Sequence, residues 1–448
     1  MEVINYMKYL KLFVLAAVFI FTANTYSQWT YCAGSIGITG LGTNPGVYCL
    51  DGNTAIVVGG VTGAPRVFKT TNGGVNFVNA SGNLTGGEIY AGCIIDANTF
   101  LVGDGPASGS ANIKRTSDGG TTWTTVLTTG GAGGFFNGIV KASTNPNFLV
   151  AQSDAFAGTA AMFVSTNGGL NWTLQNMTGV GFTIGSLPAV FCIDNQFYGS
   201  GASTAPRLGW TSNGGTTWTG TAVSVTGTFT SGAAFNDNKL NGLAISSASY
   251  PNISRSTGGP GGPWTTVSTG GTGTSTLNVL RWVPGTNICF LATSNVTTPI
   301  RMTTDNGTTW VGQTTSAITG LFDISVQNNG GTINGYAVAG DGSVIKLSSP
   351  VGIDPTNTTT PSKFALEQNY PNPFNPSTTI KYSIPVSGNV SIKVYNSLGV
   401  EVMTVVNKDH VAGNYVENVD LSALSSGIYF YTLNANGFTD TKKMMLVK

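Results

Sequence analysis

The sequence predicts an all-β fold in two parts, a long array of β-rich repeats and a small C-terminal β-sandwich. Three observations predict it. An eight-residue box returns at a near-constant interval, the two ends of the array agree in phase, and the residue pattern changes abruptly after the array. The clearest box is Thr116-Ser117-Asp118-Gly119-Gly120-Thr121-Thr122-Trp123. It returns as STNGGLNW ending at Trp172, TSNGGTTW ending at Trp218 and TTDNGTTW ending at Trp310. A weaker copy, TTNGGVNF, ends at Phe77, and a damaged one, STGGPGGPW, ends at Trp264. The closing aromatics lie 46, 49, 46, 46 and 46 residues apart. A fixed period of roughly 40–50 residues marks a repeat architecture with one supersecondary unit per repeat.

Each box has the chemistry of a tight turn between two strands. Asn72, Asp118, Asn167, Asn213 and Asp305 hold the third position, where a short polar side chain caps the backbone N–H groups just ahead of it. The following glycines supply positive φ without a Cβ clash. Thr and Trp then restart a strand, and Trp123, Trp172, Trp218 and Trp310 offer large apolar rings for packing between repeats. Upstream in each repeat, an apolar strand ends at a turn such as Asp51-Gly52-Asn53, Asp96-Ala97-Asn98 or Gly285-Thr286-Asn287, and a second β-rich run follows. That pattern is a hairpin of inner strands.

Residues 28–349 at a period of ~46 give about seven repeats. The last one, residues 321–349, has the early strands but neither a box nor a fourth strand. Trp29 stands 48 residues before Phe77, nearly one period upstream. Gln28-Trp29-Thr30-Tyr31 is therefore expected to supply the missing outer strand and close a ring. An open solenoid is the alternative, and it requires no such agreement of phase.

The boxes resemble the Asp-box, or bacterial neuraminidase repeat, whose pattern Ser/Thr-x-Asp-x-Gly-x-Thr-Trp is met at every defined position by residues 116–123. The resemblance implies a β-propeller, with each box on the hairpin between the third and fourth strands of a blade, structural and remote from any substrate face. With the period, the expectation is a seven-bladed β-propeller over residues 28–349.

The ends of the chain speak of export. Lys8 and Lys11 precede an apolar run over residues 12–21, and small and polar residues follow to Ser27. This is the pattern of a signal peptide, residues 1–27, too short in its apolar part to span a bilayer. Residues 350–362, rich in Thr, Pro and Asn, form a linker. Residues 363–448 then show alternating apolar residues in short runs with turn signals between them, the grammar of a small sandwich. Their motifs are Asn369-Tyr370-Pro371-Asn372-Pro373-Phe374, then Val394-Tyr395-Asn396 and Leu398-Gly399, then Gly427-Ile428-Tyr429 and finally Lys442-Lys443. In that order they resemble the type A C-terminal sorting domain of the type IX (Por) secretion system. The resemblance implies a Gram-negative bacterium, a secreted or outer-membrane surface location, and the type IX machinery as a partner.

Composition narrows the function. The chain has 448 residues, 9% charged, with a net charge of +1. That balance carries no footprint for nucleic acid. Of the five cysteines, Cys32, Cys49, Cys93, Cys192 and Cys289, Cys49 and Cys192 hold matching inner-strand positions three repeats apart and Cys32 an outer strand, so mostly buried free thiols are expected. The single histidine, His410, lies in the C-terminal segment. Histidine-dependent nucleophilic catalysis and histidine metal sites are thus excluded from the array. No dense carboxylate loop appears either, so neither a metal nor a cofactor is expected.

Sialidases share the Asp-box, and the resemblance makes an exo-acting glycosidase the sharp alternative. Their chemistry uses an arginine triad, a Tyr/Glu pair and an Asp. Here the array has one glutamate, Glu88, near Tyr90, and Arg66, Arg115, Arg207, Arg255 and Arg301 all precede boxes. Only Arg281 falls on an inner strand, and the Phe-Arg-Ile-Pro signature is absent. A hydrolase would need two facing carboxyls roughly 5–10 Å apart. Glu88 and Asp237 are the first candidates, with Asp104, Asp154 and Asp323 beside them. A non-catalytic, monomeric binding or scaffolding module for a glycan or protein ligand would instead present aromatic and amide side chains at the central funnel. The candidates there are Tyr90, Phe136, Arg281, Trp282 and Asp323, with Phe135. A third reading, an assembly factor resembling photosystem assembly propellers with similar boxes, calls for a broad charged face that the low charge content disfavours.

Overall fold

A computed structural model describes residues 28–35, 40–42, 44–61, 63–105, 110–129, 134–156, 159–177, 180, 189–202, 207–227, 230–246, 249–271, 275–318, 320–347, 363–385, 388–410 and 413–447. The expected signal peptide and most of the expected linker lie outside them.

Strand-forming runs of Val, Ile, Phe and Ala alternate with Gly, Asn and Asp turns. Among the described residues up to 347, they fold into seven sheets, antiparallel but for one short edge strand. Six have four strands in sequence order, so each is a meander from an inner to an outer edge. Their innermost strands are Gly46–Cys49, Glu88–Ile94, Phe136–Lys141, Phe191–Cys192, Gly232–Phe235 and Leu277–Trp282. The seventh sheet starts at Leu321–Asn329 and continues through Thr332–Ala339 and Val344–Leu347. Each innermost strand contacts the next, and the seventh contacts the first, so the sheets stand in a closed ring about a central channel. The fold is a β-propeller.

The ring closes as the phase of the repeats predicts. Gln28–Tyr31 pairs antiparallel with Val344–Leu347, through Trp29↔Leu347 and Tyr31↔Ile345. Trp29 is fully buried, edge-on to Phe290 of the sixth sheet at 5.7 Å. A feature the sequence does not announce lies outside it. Thr314–Thr315 adds to the far edge of Gln28–Tyr31 as a short parallel strand, making this sheet five-stranded. The N-terminal strand is therefore held on both edges.

The boxes form the expected turns. In the second sheet the Thr116 hydroxyl accepts the Gly120 N–H at 3.0 Å and donates to Asp118 at 2.8 Å. Asp118 in turn accepts the N–H groups of Thr121 and Thr122. Gly119 and Gly120 sit at φ 76° and 92°, a region closed to most side chains. Each box packs beside the first hairpin turn of its own sheet, as Gly119 N–H donating to the Asn98 carbonyl shows. All boxes therefore lie on the face where the innermost strands end. Trp123 reaches the preceding sheet, where its indole donates to the Ala80 carbonyl at 3.1 Å.

All five cysteines are buried, and Cys49, Cys93, Cys192 and Cys289 are free thiols. Burial pushes the Cys93 thiol up to about 11, so these groups pack as small hydrophobes.

The C-terminal segment is a sandwich of a three-stranded and a four-stranded sheet around one core that includes Phe374, Tyr382, Ile392, Tyr431 and Leu446. Its first motif covers the edge of the last strand. The Asn372 amide accepts the Met445 N–H, Phe374 N–H donates to the Met445 carbonyl, and Val447 N–H returns a bond to the Phe374 carbonyl. Asn369 is buried and donates to the Pro371 carbonyl and the Thr378 hydroxyl. Tyr370 is left 81% exposed. Gly427 opens a strand, the Tyr429 hydroxyl donates to the Ser425 carbonyl, and Lys442 pairs with Asp440 at 3.3 Å while the Lys443 carbonyl takes the Asn372 amide.

Candidate functional site

The innermost strands run in one direction. Val47 N–H bonds the Asp323 carboxylate and, two residues on in both strands, Cys49 N–H bonds the Ser325 hydroxyl. The channel therefore has two different faces: one where the strands start, and one where they end and the boxes lie.

At the start face the ladder is broken in the same place four times. The register slips between Ile89 and Ala91, Phe136 and Gly138, Leu277 and Val279, and Leu321 and Asp323. Each slip leaves one residue without a partner across the ladder: Tyr90, Asn137, Asn278 and Phe322. A β-bulge of this kind re-aims a side chain, and bulges gather beside functional sites. Between the second and third sheets they assemble a mixed cluster. The Tyr90 hydroxyl donates to Glu88 at 2.9 Å. The Tyr90 ring stands edge-on to Phe135 at 5.2 Å. The Asn137 amide donates to Asp154 at 2.5 Å. Phe135 packs closely on Gly105, where an added Cβ would come within 1.8 Å of its ring, so a larger residue there would displace it. Glu88, Tyr90, Phe135, Asn137 and Asp154 are all half-buried, and Phe322 is 39% exposed on the seventh sheet.

The electrostatics decide what the Tyr90–Glu88 pair can do. Burial, then the hydrogen bond to Glu88, then the charges of Glu88 and Asp154 push the Tyr90 hydroxyl up to about 12. Held in its neutral form, the Tyr90 phenol serves as a hydrogen-bond donor to Glu88. The nearby cations are engaged elsewhere. Lys114 pairs with buried Asp104 at 3.1 Å, and Arg281 pairs with Asp323 at 3.1 Å.

The remaining candidates are not brought here. Phe136 is fully buried against Phe163 in the core between the second and third sheets, so it lines nothing. Trp282 ends its strand at the box face, and its indole donates to the Thr286 carbonyl of its own turn. Asp323 is 8% exposed and joins the sixth, seventh and first sheets through Arg281, its own Ile324 N–H and Val47 N–H, so the pair secures ring closure. Burial raises the Asp323 carboxyl, while Arg281 and the two amides draw it back. Asp237 lies just beyond the end of Gly232–Phe235 at the box face. It accepts the Ser143 hydroxyl of the third sheet at 2.8 Å and the Gly285 N–H of the sixth at 2.6 Å. Glu88 begins its strand and Asp237 follows the end of its own. The strands separate them along the channel, and they do not form a facing carboxyl pair.

Phe135 and Asp154 were nameable from the sequence. Asn137 and Phe322 were not, although aligning the repeats puts Tyr90, Asn137, Asn278 and Phe322 at one position, each directly after an apolar residue. Among the described residues, no group of three or more His, Cys, Asp or Glu could hold a metal ion.

The comparisons agree with this architecture. Residues 368–448 match the secretion system C-terminal sorting domain family. The chain is thus a β-propeller protein that carries a type IX sorting domain, and such proteins are secreted to the surface or exterior of Gram-negative bacteria. Among solved structures, YCF48 from Cyanidioschyzon merolae is similar over 71% of this chain and 98% of that one, at 17% identity and a TM-score of 0.52. At that identity the likeness shows the fold alone. A structural-genomics protein of unknown function from Bacteroides thetaiotaomicron VPI-5482 is similar over 68% of this chain and 90% of that one, at 12% identity and a TM-score of 0.39. No curated protein matches the chain.

Proposed function

We propose that the exported protein is a non-catalytic binding module that captures an extracellular glycan at the start face of its channel. The reading takes residues 1–27 as signal peptide, 28–349 as a seven-bladed Asp-box propeller with one blade per sheet, 350–362 as linker and 363–448 as sorting domain. The observation that supports it is the repeated bulge, which delivers Tyr90, Asn137 and Phe322 to one rim of the channel. Aromatic faces stack on the apolar faces of sugar rings, while neutral hydroxyls, amides and carboxylates take up their hydroxyl groups. The cluster offers all of these.

The test is a diverse glycan array probed with the purified full chain, read by fluorescence for retention and by mass spectrometry for cleavage. Retention without cleavage, lost in Tyr90→Ala and Phe135→Ala, is the expected result. Cleavage of any glycan, or silence across the array, overturns the reading.

A further inference from the structure

Four stretches of the C-terminal sandwich that carry its sequence motifs, residues 369–374, 394–399, 427–429 and 442–447, are far apart in the chain and meet at one end of the domain. Gly388–Asn396 finishes there and Glu401–His410 begins there, joined by the hairpin between them. Gly427–Ala435 starts beside Asn396, through Tyr429↔Asn396, and Phe438–Leu446 finishes beside Gly427. Phe374 bridges Leu446, and the Pro376 carbonyl accepts the Leu421 N–H, so the three-stranded sheet brings Ser377 and Asp420 to the same end.

One part of each stretch builds this end from within: Asn369, Phe374, Val394, Tyr429 and Met444 are buried. Another part faces solvent. Tyr370 and Leu398 are 81% and 85% exposed, and Val400, Ile428, Met445 and Val447 are exposed with them. Among the described residues of the sandwich these are the exposed large hydrophobic side chains, and all six stand at this end. Ile428 and Met445 are direct cross-strand partners, and Tyr370 pairs with Thr379 near the start of Ser377–Ile384. The hairpin is shaped to carry Leu398 at its tip: the Asn396 amide oxygen accepts the N–H groups of Leu398 and Val400, each at 3.0 Å, and Gly399 takes φ 78°. Apolar side chains left in water add little to the sandwich core, and a cluster of them marks a surface that another molecule covers.

We propose that this apolar end is the surface by which the type IX machinery takes hold of the protein, docking against an apolar face of a machinery subunit. The stretches that build it name the occupant. All six side chains fall within residues 368–448, which match the secretion system C-terminal sorting domain family, and each of the four motif stretches contributes at least one of them. The inference does not depend on what the propeller binds.

The experiment uses the full chain, produced in a Gram-negative host with a working type IX system. Leu398→Ser/Ile428→Ser should lower the amount reaching the cell exterior at least about tenfold, with the chain held inside the outer membrane, scored by fractionation. Val61→Ser/Val296→Ser, which removes two exposed apolar side chains from the propeller, should be exported like the parent. A photo-crosslinking side chain placed at Leu398 should join the protein to a type IX subunit, identified by mass spectrometry. Export of Leu398→Ser/Ile428→Ser at the parent level overturns the proposal, and so does an equal loss in the propeller control. Cross-links confined to the protein's own propeller or to a second copy also overturn it, and this arm keeps an apolar group at position 398 and does not depend on the folding of the double variant.

Discussion

Thr116 and Asp118 show how a single residue sets the geometry of a repeat. The Thr116 hydroxyl is buried and spans the turn, accepting from Gly120 and donating to Asp118. Thr116→Val keeps the shape and leaves the Gly120 N–H without that acceptor. It should cost about 1–2 kcal/mol in denaturant unfolding. The third position accepts either an amide or a carboxylate. Asn213 takes the Thr217 N–H at 2.9 Å, the same bond that Asp305 takes from Thr309 N–H at 2.9 Å. Asn213→Asp should therefore leave Tm within about 2 °C of the parent in a thermal melt. The Asp118 carboxyl is held down at about 2 by the Thr122 hydroxyl, then by the Thr122 N–H and the Thr116 hydroxyl. An unfolded aspartate titrates near ~3.9. Its folded value is the lower one, so its contribution is complete above about pH 4 and disappears as pH falls through about 2. Across that window the parent should lose more stability than Asp118→Asn, measured as Tm against pH.

At the scale of the element, the strands and turns were legible and the bulges were not. The box spacing announces one outer hairpin per repeat, and Asp51 and Asp96 announce inner turns by capping the N–H groups two and three residues on. Trp29 announces the closing strand by phase alone. Its indole is fully buried between the sixth and seventh sheets, so Trp29→Ala should cost about 3–5 kcal/mol, far more than a surface change on an ordinary outer strand. A bulge leaves no such signature. Tyr90, Asn137 and Phe322 differ in size and polarity, and what unites them is a slip in pairing that only the neighbouring strand defines. The same lack left Phe135 and Phe136 side by side as candidates, although only Phe135 reaches the cluster. Alternation makes one of two adjacent residues core, and the sequence does not say which. Gly105 gives a sharp test at this scale. Gly105→Ala would displace Phe135, and it should abolish glycan retention while leaving the box turns, far along the channel, in place by NMR.

At the scale of the whole molecule, the two faces of the channel are built differently. The box face is tied across the ring: Asp237 joins the third, fifth and sixth sheets, Asn328 reaches the Pro284 carbonyl and Asn329 the Leu50 carbonyl. The start face carries the bulges and the half-buried aromatic cluster. The C-terminal sandwich adds an address. Its first motif is stitched to its last strand, so Asn369→Ala should unsettle both and reduce export of the chain to the cell exterior, scored by fractionation.

The central claim is that the ligand sits at the start face. It is tested most directly by amide hydrogen exchange of the full chain with and without a retained saccharide. New protection is expected at residues 88–91, 135–138 and 321–323, with the boxes at 116–123 and 303–310 unchanged. Protection confined to the boxes or to the turn at Asp237 would contradict it.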